Sequence, residues 1–304
     1  MRLSRAPSIE IKTPGQIAMM REAGLVVARM LRAAAAAAEP GISTAELDAI
    51  AEREMKAAGA RSSFKGYHGY PATICTSVND QIVHGIPSPA VKLAAGDVLS
   101  IDAGAIVGGW HGDAAITVPV GPVPAEVTAL LLACERAMWQ GLAAAAAGAH
   151  LSDVSHAIQS SALASGGYGI VREYTGHFIG SQMHMDPAVP NFGRPGRGPV
   201  LAEGMALAVE PMLVLPRRSA AGPSDGEPAG EPSGERHPRT RLLDDGWTVV
   251  TADGSLAAHF EHTVAITADG PWVLTADDGG AGGLALAGAT ARGDAAATAA
   301  GRRS

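Results

Sequence analysis

Five ionisable side chains lie in or beside short apolar segments that read as β-strands, and no other feature constrains the chain as strongly. They are Asp102, Asp113, His177, Glu210 and Glu261, spread over about 160 positions. Burying a carboxylate or an imidazole without a partner is costly. Four carboxylates brought together would also repel one another unless a cation held them. An oxygen-rich ligand set with one nitrogen donor suits a pair of divalent first-row metals.

The surrounding pattern predicts two helices followed by strands, twice over. Helical spacing covers 15–38, 43–58, 124–147 and 154–165, and Ser43 with Glu46 reads as the cap that opens the second helix. Strand-like segments follow the first pair between 72 and 120, and the second pair between 169 and 267. Helices followed by antiparallel strands in two similar halves predict an α+β fold.

Composition separates a core from two further segments. We expect residues 1–275 to form a single catalytic domain. Within it, 216–241 consist of Pro, Gly, Ser and nearly balanced charge, which predicts a flexible inserted loop. Residues 276–304 are rich in Gly and Ala without a period, which predicts a disordered tail.

Charge and cysteine content exclude several classes of protein. A net charge of -7 without a basic block gives no support for nucleic-acid binding. Cys75 and Cys134 are the two cysteines, too few for a disulfide framework or a cysteine-type zinc site, and they fit a reducing cytosol. The first residues lack the apolar segment of a signal peptide, and no apolar run is long enough to span a bilayer. We expect a cytoplasmic protein that does not bind membranes.

The Asp102 and Asp113 pair flanks a Gly-Gly turn. The two residues are eleven positions apart, and a hairpin centred near Val107 and Gly108 would place them directly opposite each other. A single aspartate is more often a solvent-facing or turn-capping residue. For this pair that explanation is weaker, because the flanking residues are apolar, and a metal ion between the carboxylates would remove their repulsion.

The other three residues are less informative when taken singly. A lone histidine such as His177 is more often a satisfied core residue, but it lies in GHFIG, and His184 follows in HMDP. Glu210 ends a strand-like run and precedes a proline. Strand alternation puts Glu261 and Thr263 on one face, although Glu261 alone is equally well explained as an exposed residue of an edge strand.

Five ordered motifs together resemble the type I methionine aminopeptidases, metal-dependent enzymes of the pita-bread fold, over about residues 8–275. The motifs are GYHGYPATICTSVNDQIVHGIP (66–87), IDAGAIVGGWHGDAA (101–115), TGHFIG with HMDP (175–187), GMALAVEPM (204–212), and DGWTV with HFEHTVAIT (245–267). The resemblance implies two pseudo-twofold halves in which helices cover an antiparallel sheet.

The resemblance also implies roles for the five residues. Asp102 would bind one divalent metal, and His177 and Glu210 would bind a second. Asp113 and Glu261 would bridge the two ions, which would be Co, Mn, Fe or Zn. The metals would activate a water and polarise the scissile carbonyl.

Further roles follow from the same resemblance. Glu210 would shuttle a proton from the attacking water to the leaving amine, while His84 and His184 would position the scissile amide and stabilise the tetrahedral intermediate. A soft, partly aromatic pocket would hold the first side chain of the substrate, and its residues would be Tyr67, Tyr70, Cys75, Met183 and Trp247, together with His84 and His184.

The implied function is removal of the initiator methionine from nascent proteins and peptides whose second residue is small. Partners would be nascent N-termini, met at the ribosome, and we expect a monomer. An X-Pro aminopeptidase or prolidase of the same fold would use the same five ligands, but TSVNDQIVHGIP and DGWTV favour the methionine enzyme. A catalytically inactive binding module would have lost ligands, and all five are present.

Three departures from the family pattern concern specificity and metal affinity. Phe178 stands where glycine is usual and would add bulk beside His177. His259 stands where glutamine is common, two residues before Glu261. The 216–241 segment is about twenty residues longer than in compact bacterial relatives. None of the three removes a predicted ligand.

Overall fold

A computed structural model describes residues 9–215 and 237–289. The helices are α1 (Pro14–Ala36), α2 (Thr44–Ala57), α3 (Ala125–Ala144), α4 (Leu151–Ala164) and α5 (Ala281–Leu286), with a short 3-10 helix at Tyr67–Gly69. The strands are β1 (Arg61–Ser62), β2 (Ile74–Val78), β3 (Gln81–Val83), β4 (Val98–Val107), β5 (Trp110–Pro119), β6 (Gly169–Ile170), β7 (Gly176–Phe178), β8 (Met185–Val189), β9 (Ala206–Val209), β10 (Met212–Val214), β11 (Thr240–Leu242), β12 (Val249–Thr251), β13 (Ala257–His259), β14 (Glu261–Thr267) and β15 (Gly270–Val273).

The first two helices begin at capping boxes that the sequence encodes. In α1, Thr13 accepts a hydrogen bond from the backbone of Gln16, whose side chain accepts one from the backbone of Thr13. Ser43 and Glu46 form the same reciprocal pair at the start of α2. Each box satisfies two backbone donors that a helix start leaves without partners. The predicted cap of the second helix is confirmed.

One sheet joins the two halves of the chain. Its strands follow the order β1-β4-β5-β14-β9-β7-β8, with β2 paired to β4 and β15 paired to β14. The first half contributes β1, β2, β4 and β5, and the second half contributes the others, so the halves meet where β5 pairs antiparallel with β14. This arrangement confirms the predicted α+β fold in which two helices precede each set of strands.

Each helix pair covers the sheet strands of its own half. A core beneath α1 and α2 contains Leu99, Ile101 and Ala103 of β4. A second core beneath α3 and α4 contains Phe178 of β7 and Val209 of β9. These strand residues alternate with the ionisable residues, so Asp102, His177 and Glu210 project from the opposite face. No helix in the described part of the chain is long and apolar enough to cross a membrane.

The register of the β4–β5 hairpin corrects one prediction. The turn lies at Gly108 and Gly109, as expected, but Asp102 pairs with Ala115 and Asp113 pairs with Gly104. The two aspartates are therefore diagonal neighbours on one face and not directly opposite. The reason is that a two-residue turn centres the hairpin between the two glycines, one residue beyond the centre between Val107 and Gly108 that was assumed from the sequence.

The segment predicted to be a disordered tail is partly folded. Helix α5 lies within it, and Leu284 of this helix is completely buried in the same core as α3. One buried leucine in a Gly/Ala-rich sequence anchors the helix, which composition alone does not reveal. Similarly, β11 begins inside the predicted 216–241 loop. The rest of that loop, 216–236, and residues 290–304 lie outside the described residues.

Helix α5 gives a direct test of this correction. We expect Leu284→Ala to lower the free energy of unfolding by about 2–4 kcal/mol, because it deletes a buried side chain and leaves a cavity. Leu286 in the same helix is 90% exposed, and Leu286→Ala should change stability by less than about 0.5 kcal/mol. Urea denaturation measures both, and equal stability of the two variants would contradict the packing of α5.

Candidate metal centre and adjoining pocket

The strand register brings all five ionisable residues to one face of the sheet. Asp102 pairs with Ala115, and Ala115 pairs with Glu261, so these three side chains share a row across β4, β5 and β14. Asp113 lies two residues before Ala115 and therefore on the same face. The small methyl group of Ala115 leaves room between the carboxylates.

His177 and Glu210 join this face from the second half. His177 of β7 pairs with Ala208 of β9, which in turn pairs with Thr263 of β14. Glu210 follows β9 two residues after Ala208, beside Glu261. Thr263 joins the two halves through its hydroxyl. This hydroxyl donates a hydrogen bond to the backbone oxygen of Asp113 at 2.8 Å and accepts one from the backbone nitrogen of Asp113 at 3.0 Å.

The side chains converge closely enough to share a cation. One ligand atom from each of Asp113, His177 and Glu261 lies within 4.8 Å of the others, and all three residues are buried. Glu210 Oε1 is 3.5 Å from His177 Nε2. Asp102 and Glu210 line the same pocket. The five residues predicted from the sequence therefore meet in one place.

Burial opposes charge on each of the carboxyl groups. It raises the pKa of Asp102 to about 7, and raises the pKa of Asp113 and Glu261 well above the usual range, with repulsion between neighbouring carboxylates adding to the effect. Burial likewise raises the pKa of Glu210 well above its usual range. Burial lowers the pKa of His177 to about 3, so its imidazole is neutral and has a lone pair with which it can bind a cation.

The hydrogen bonding of these groups fits a metal centre. Asp102 Oδ1, Asp113 Oδ1 and Glu261 Oε1 are buried without a hydrogen-bond partner. Buried polar atoms rarely remain unpaired, and each one demands an explanation. His177 Nδ1 lies 3.0 Å from the backbone oxygen of Phe178, an acceptor, so Nδ1 carries the proton and Nε2 is free to bind a cation. Oxygen donors and a neutral imidazole nitrogen are the ligands that divalent first-row metals accept.

A pocket of about 520 Å³, counting the part open to solvent, adjoins the carboxylates. Every predicted pocket residue lines it. Tyr70 packs edge-on against Trp247 with ring centres 5.0 Å apart, and its hydroxyl lies within hydrogen-bond distance of the backbone oxygens of Ile74 and Gly85. Cys75 and Met183 are buried in the same apolar cluster. The result is an apolar chamber beside the candidate metal ligands.

Two histidines lie between the chamber and the carboxylates. His84 has a left-handed backbone conformation with φ of 61°. The next residue is Gly85, where any Cβ would lie only 2.2 Å from the backbone oxygen of Thr76. Burial lowers the pKa of His84 to about 4, so this imidazole is neutral at pH 7. His184 stacks edge-on against His177 with ring centres 4.4 Å apart, and its Nδ1 lies 2.9 Å from the Tyr67 hydroxyl.

The sequence prediction missed residues that the structure places at the site. Phe64 lines the chamber and packs edge-on against Tyr70; its position just before the GYHGYP motif was the available signal. Asn191 donates to the backbone oxygen of Glu210 at 3.1 Å, and no sequence pattern connected the two residues. His259, predicted only to depart from the family pattern, lies beside Glu210. Its Nε2 is 3.6 Å from Glu210 Oε2.

Phe178 does not crowd the site, contrary to the prediction of added bulk beside His177. Its ring is buried in the core beneath α3 and α4. Successive residues of a strand point to opposite faces, so Phe178 points away from the pocket whenever His177 points into it.

Comparison with known proteins agrees with this architecture. The sequence profile of metallopeptidase family M24 matches residues 18–268. The methionine aminopeptidase 1 of Mycobacterium tuberculosis is 51% identical over 269 residues, covering 87% of this chain and 94% of the relative. That of Bacillus subtilis is 46% identical over 264 residues, covering 87% and 98%.

A solved structure extends the likeness to the fold. The methionine aminopeptidase of Thermotoga maritima superposes with a TM-score of 0.80 at 37% identity, covering 89% of this chain and all of that one. The predicted pita-bread fold, an α+β arrangement of a curled antiparallel sheet and helices, is thereby confirmed. The chain belongs to metallopeptidase family M24 and, within it, to the type I methionine aminopeptidases.

Proposed function

We propose that this chain removes the initiator methionine from nascent proteins and peptides whose second residue is small. The observation that carries the proposal is the meeting of five candidate metal-ligand side chains with an adjoining apolar chamber in one pocket of the fold. Metal ions held by the five side chains would activate a water. The chamber can hold one unbranched apolar side chain next to that water.

The five residues are assigned as ligands of two divalent metals. Asp102 would hold one ion, His177 and Glu210 would hold the other, and Asp113 and Glu261 would serve both. Cobalt, manganese, iron or zinc fits these donors. When bound, such ions supply a water that is nucleophilic at neutral pH and polarise the scissile carbonyl. The buried oxygens that lack hydrogen-bond partners support this assignment.

The protein groups around the scissile bond then complete hydrolysis. Glu210 accepts a proton from the attacking water and delivers it to the departing amine. His84 and His184 donate hydrogen bonds to the substrate amide and to the oxygen on which negative charge develops. Since His84 is neutral at pH 7, it donates without adding a positive charge to the metal-binding pocket.

The chamber selects the first residue. Met183 and Cys75 offer soft sulfur atoms, and Tyr70 with Trp247 offer aromatic surface to a thioether. Asp245 fixes Trp247 in place, because its Oδ1 accepts hydrogen bonds from the backbone of both Trp247 and Thr248 at 2.8 Å. His184 and Tyr67, whose polar atoms are 2.9 Å apart, line the same pocket and would limit the second residue to a small one.

The same proposal includes the setting of the reaction. The substrates are N-termini of newly made polypeptides, met in the cytoplasm and at the ribosome, and the chain acts as a monomer. Its net charge of -7 argues against a direct contact with nucleic acid.

A peptide assay tests the function. Metal-stripped protein is supplied in turn with manganese, iron, cobalt or zinc and is given Met-Ala-Ser or Ala-Pro-Ala. We expect methionine release from Met-Ala-Ser with at least one metal, no release without metal, and no alanine release from Ala-Pro-Ala. Chromatography of the free amino acids is the measurement.

The assay separates the candidate functions. Alanine release from Ala-Pro-Ala in place of methionine release would favour an X-Pro aminopeptidase of the same fold. No release from either peptide with any metal would contradict a catalytic role altogether. The control is Asp102→Asn, which removes one proposed ligand and should be inactive under the same conditions.

A further inference from the structure

His259 is held rigidly beside the site without having been assigned a role. It ends β13, and its side chain is almost completely buried. Its backbone nitrogen donates to the Thr117 hydroxyl at 2.8 Å, and that hydroxyl donates to its backbone oxygen at 2.7 Å. This double hydrogen bond to a neighbouring strand fixes where the imidazole lies.

The imidazole faces one of the two oxygens of Glu210. His259 Nε2 is 3.6 Å from Glu210 Oε2, while Glu210 Oε1 is 3.5 Å from His177 Nε2. The backbone oxygen of Glu210 is held by Asn191. The carboxylate is therefore anchored at its backbone, and its two oxygens point toward different imidazoles.

The two imidazoles present different groups to Glu210, a lone pair from His177 and an unpaired ring nitrogen from His259. His177 has its proton on Nδ1, which donates to the Phe178 oxygen, so its Nε2 and Glu210 Oε1 both present lone pairs to a shared cation. His259 Nε2 is buried and has no hydrogen-bond partner. A closer approach of about 0.5 Å would bring it within hydrogen-bond distance of Glu210 Oε2. The acceptor that this nitrogen faces is Glu210 Oε2, 3.6 Å away.

We propose that His259 is a positioning residue for Glu210, in which the Nε2–H tautomer donates to Oε2 and reserves Oε1 for the metal and for proton transfer. Groups that orient a metal-bound carboxylate in this way commonly affect activity by 10–100-fold. In this assignment His259 is not a ligand, because its Nε2 faces Glu210 Oε2 and not the oxygen, Oε1, that lies beside His177. The inference rests on the proposed function of Glu210.

Three variants test the proposal. His259→Ala removes the donor, whereas His259→Gln replaces it with an amide that can donate to the same oxygen. His262→Gln is the matched control, because His262 is a partly buried imidazole of β14 that contacts Thr275 and Trp139 on the other face of the sheet. Each protein is stripped of metal, titrated calorimetrically with Mn²⁺, and assayed on Met-Ala-Ser.

A positioning role predicts a specific pattern. His259→Ala should bind as many Mn²⁺ ions as wild type and should lose about 10–100-fold in kcat, with KM within about threefold. His259→Gln should recover most of that loss, and His262→Gln should keep kcat within about threefold of wild type while melting at a lower temperature.

Three results would overturn it. Loss of one Mn²⁺ ion in His259→Ala would make His259 a ligand. An unchanged kcat in His259→Ala would remove any role in Glu210 function. Equal activity of the Ala and Gln variants would show that no hydrogen-bond donor is needed. An inactive wild type would contradict the proposed function instead, so the two failures are distinguishable.

Discussion

Replacing Asp113 by asparagine is expected to lower methionine release by at least about a thousandfold, equivalent to about 4 kcal/mol of transition-state stabilisation. Asp113 lies at the centre of the group that can share a cation, within 4.8 Å of His177 and Glu261 ligand atoms. An amide lacks the negative charge with which Asp113 would attract the proposed metal ions. Fewer Mn²⁺ ions should therefore bind to the stripped variant in a calorimetric titration.

The stability of metal-free Asp113→Asn, unlike its activity, should not fall below that of wild type. Burial and the neighbouring carboxylates raise the pKa of Asp113 because the ionised form is disfavoured in the metal-free fold. A neutral amide avoids that cost, so metal-free Asp113→Asn should melt at or above the temperature of metal-free wild type. Added Mn²⁺ should stabilise wild type far more than the variant, since ligands that bind the folded state stabilise it by mass action.

Asp244→Asn is the matched control, an identical substitution at an exposed position. It should leave activity, metal binding and stability within experimental scatter of wild type. If Asp113→Asn kept wild-type activity and bound the same number of ions, the assignment of Asp113 as a metal ligand would be wrong.

Gly24→Ala is expected to destabilise the fold even though alanine is the better helix former. An added Cβ at Gly24 would lie 2.2 Å from the backbone oxygen of Leu274, and Gly112 of β5 already approaches the backbone of Gly24 closely. Helix propensity favours alanine by about 1 kcal/mol. The clash is with backbone that cannot rotate away, and overpacking costs about 1–3 kcal/mol or more, so the net effect should be a loss.

Gly15 in the same helix supplies the control. Nothing lies within 4 Å of a Cβ added there, so Gly15→Ala should be neutral or stabilising by up to about 1 kcal/mol. Thermal and urea unfolding of the two variants should therefore change in opposite directions. Equal stabilisation by both would show that α1 does not pack as closely on the backbone at Leu274 as the structure indicates.

The secondary structure was largely encoded locally. Capping boxes at Thr13 and Ser43 set the starts of α1 and α2, and Gly108 with Gly109 set the turn between β4 and β5. Such signals act over a few residues, so they can be read without knowledge of the fold. Helix α5 was missed because its stability depends on one leucine that packs against distant elements.

The candidate site was encoded in part. Ionisable residues in apolar strands were conspicuous in the sequence, and strand alternation correctly separated Glu261 from His262. The diagonal placement of Asp102 and Asp113 followed from the register of the hairpin, whose centre lies one residue beyond the one expected from the sequence. The direction of Phe178, away from the pocket, also depended on alternation around His177.

By itself the sequence determined which side chains must be neutralised together, because carboxylates buried side by side repel one another unless protons or a cation neutralise them. It also determined the family, through motifs that span nearly the whole core. Only the tertiary structure decided that Phe64 lines the chamber, that Asn191 holds the backbone of Glu210, and that His259 faces the second carboxylate oxygen of Glu210. These contacts join residues from different strands and loops, so they depend on sheet register and packing, and no local pattern records them.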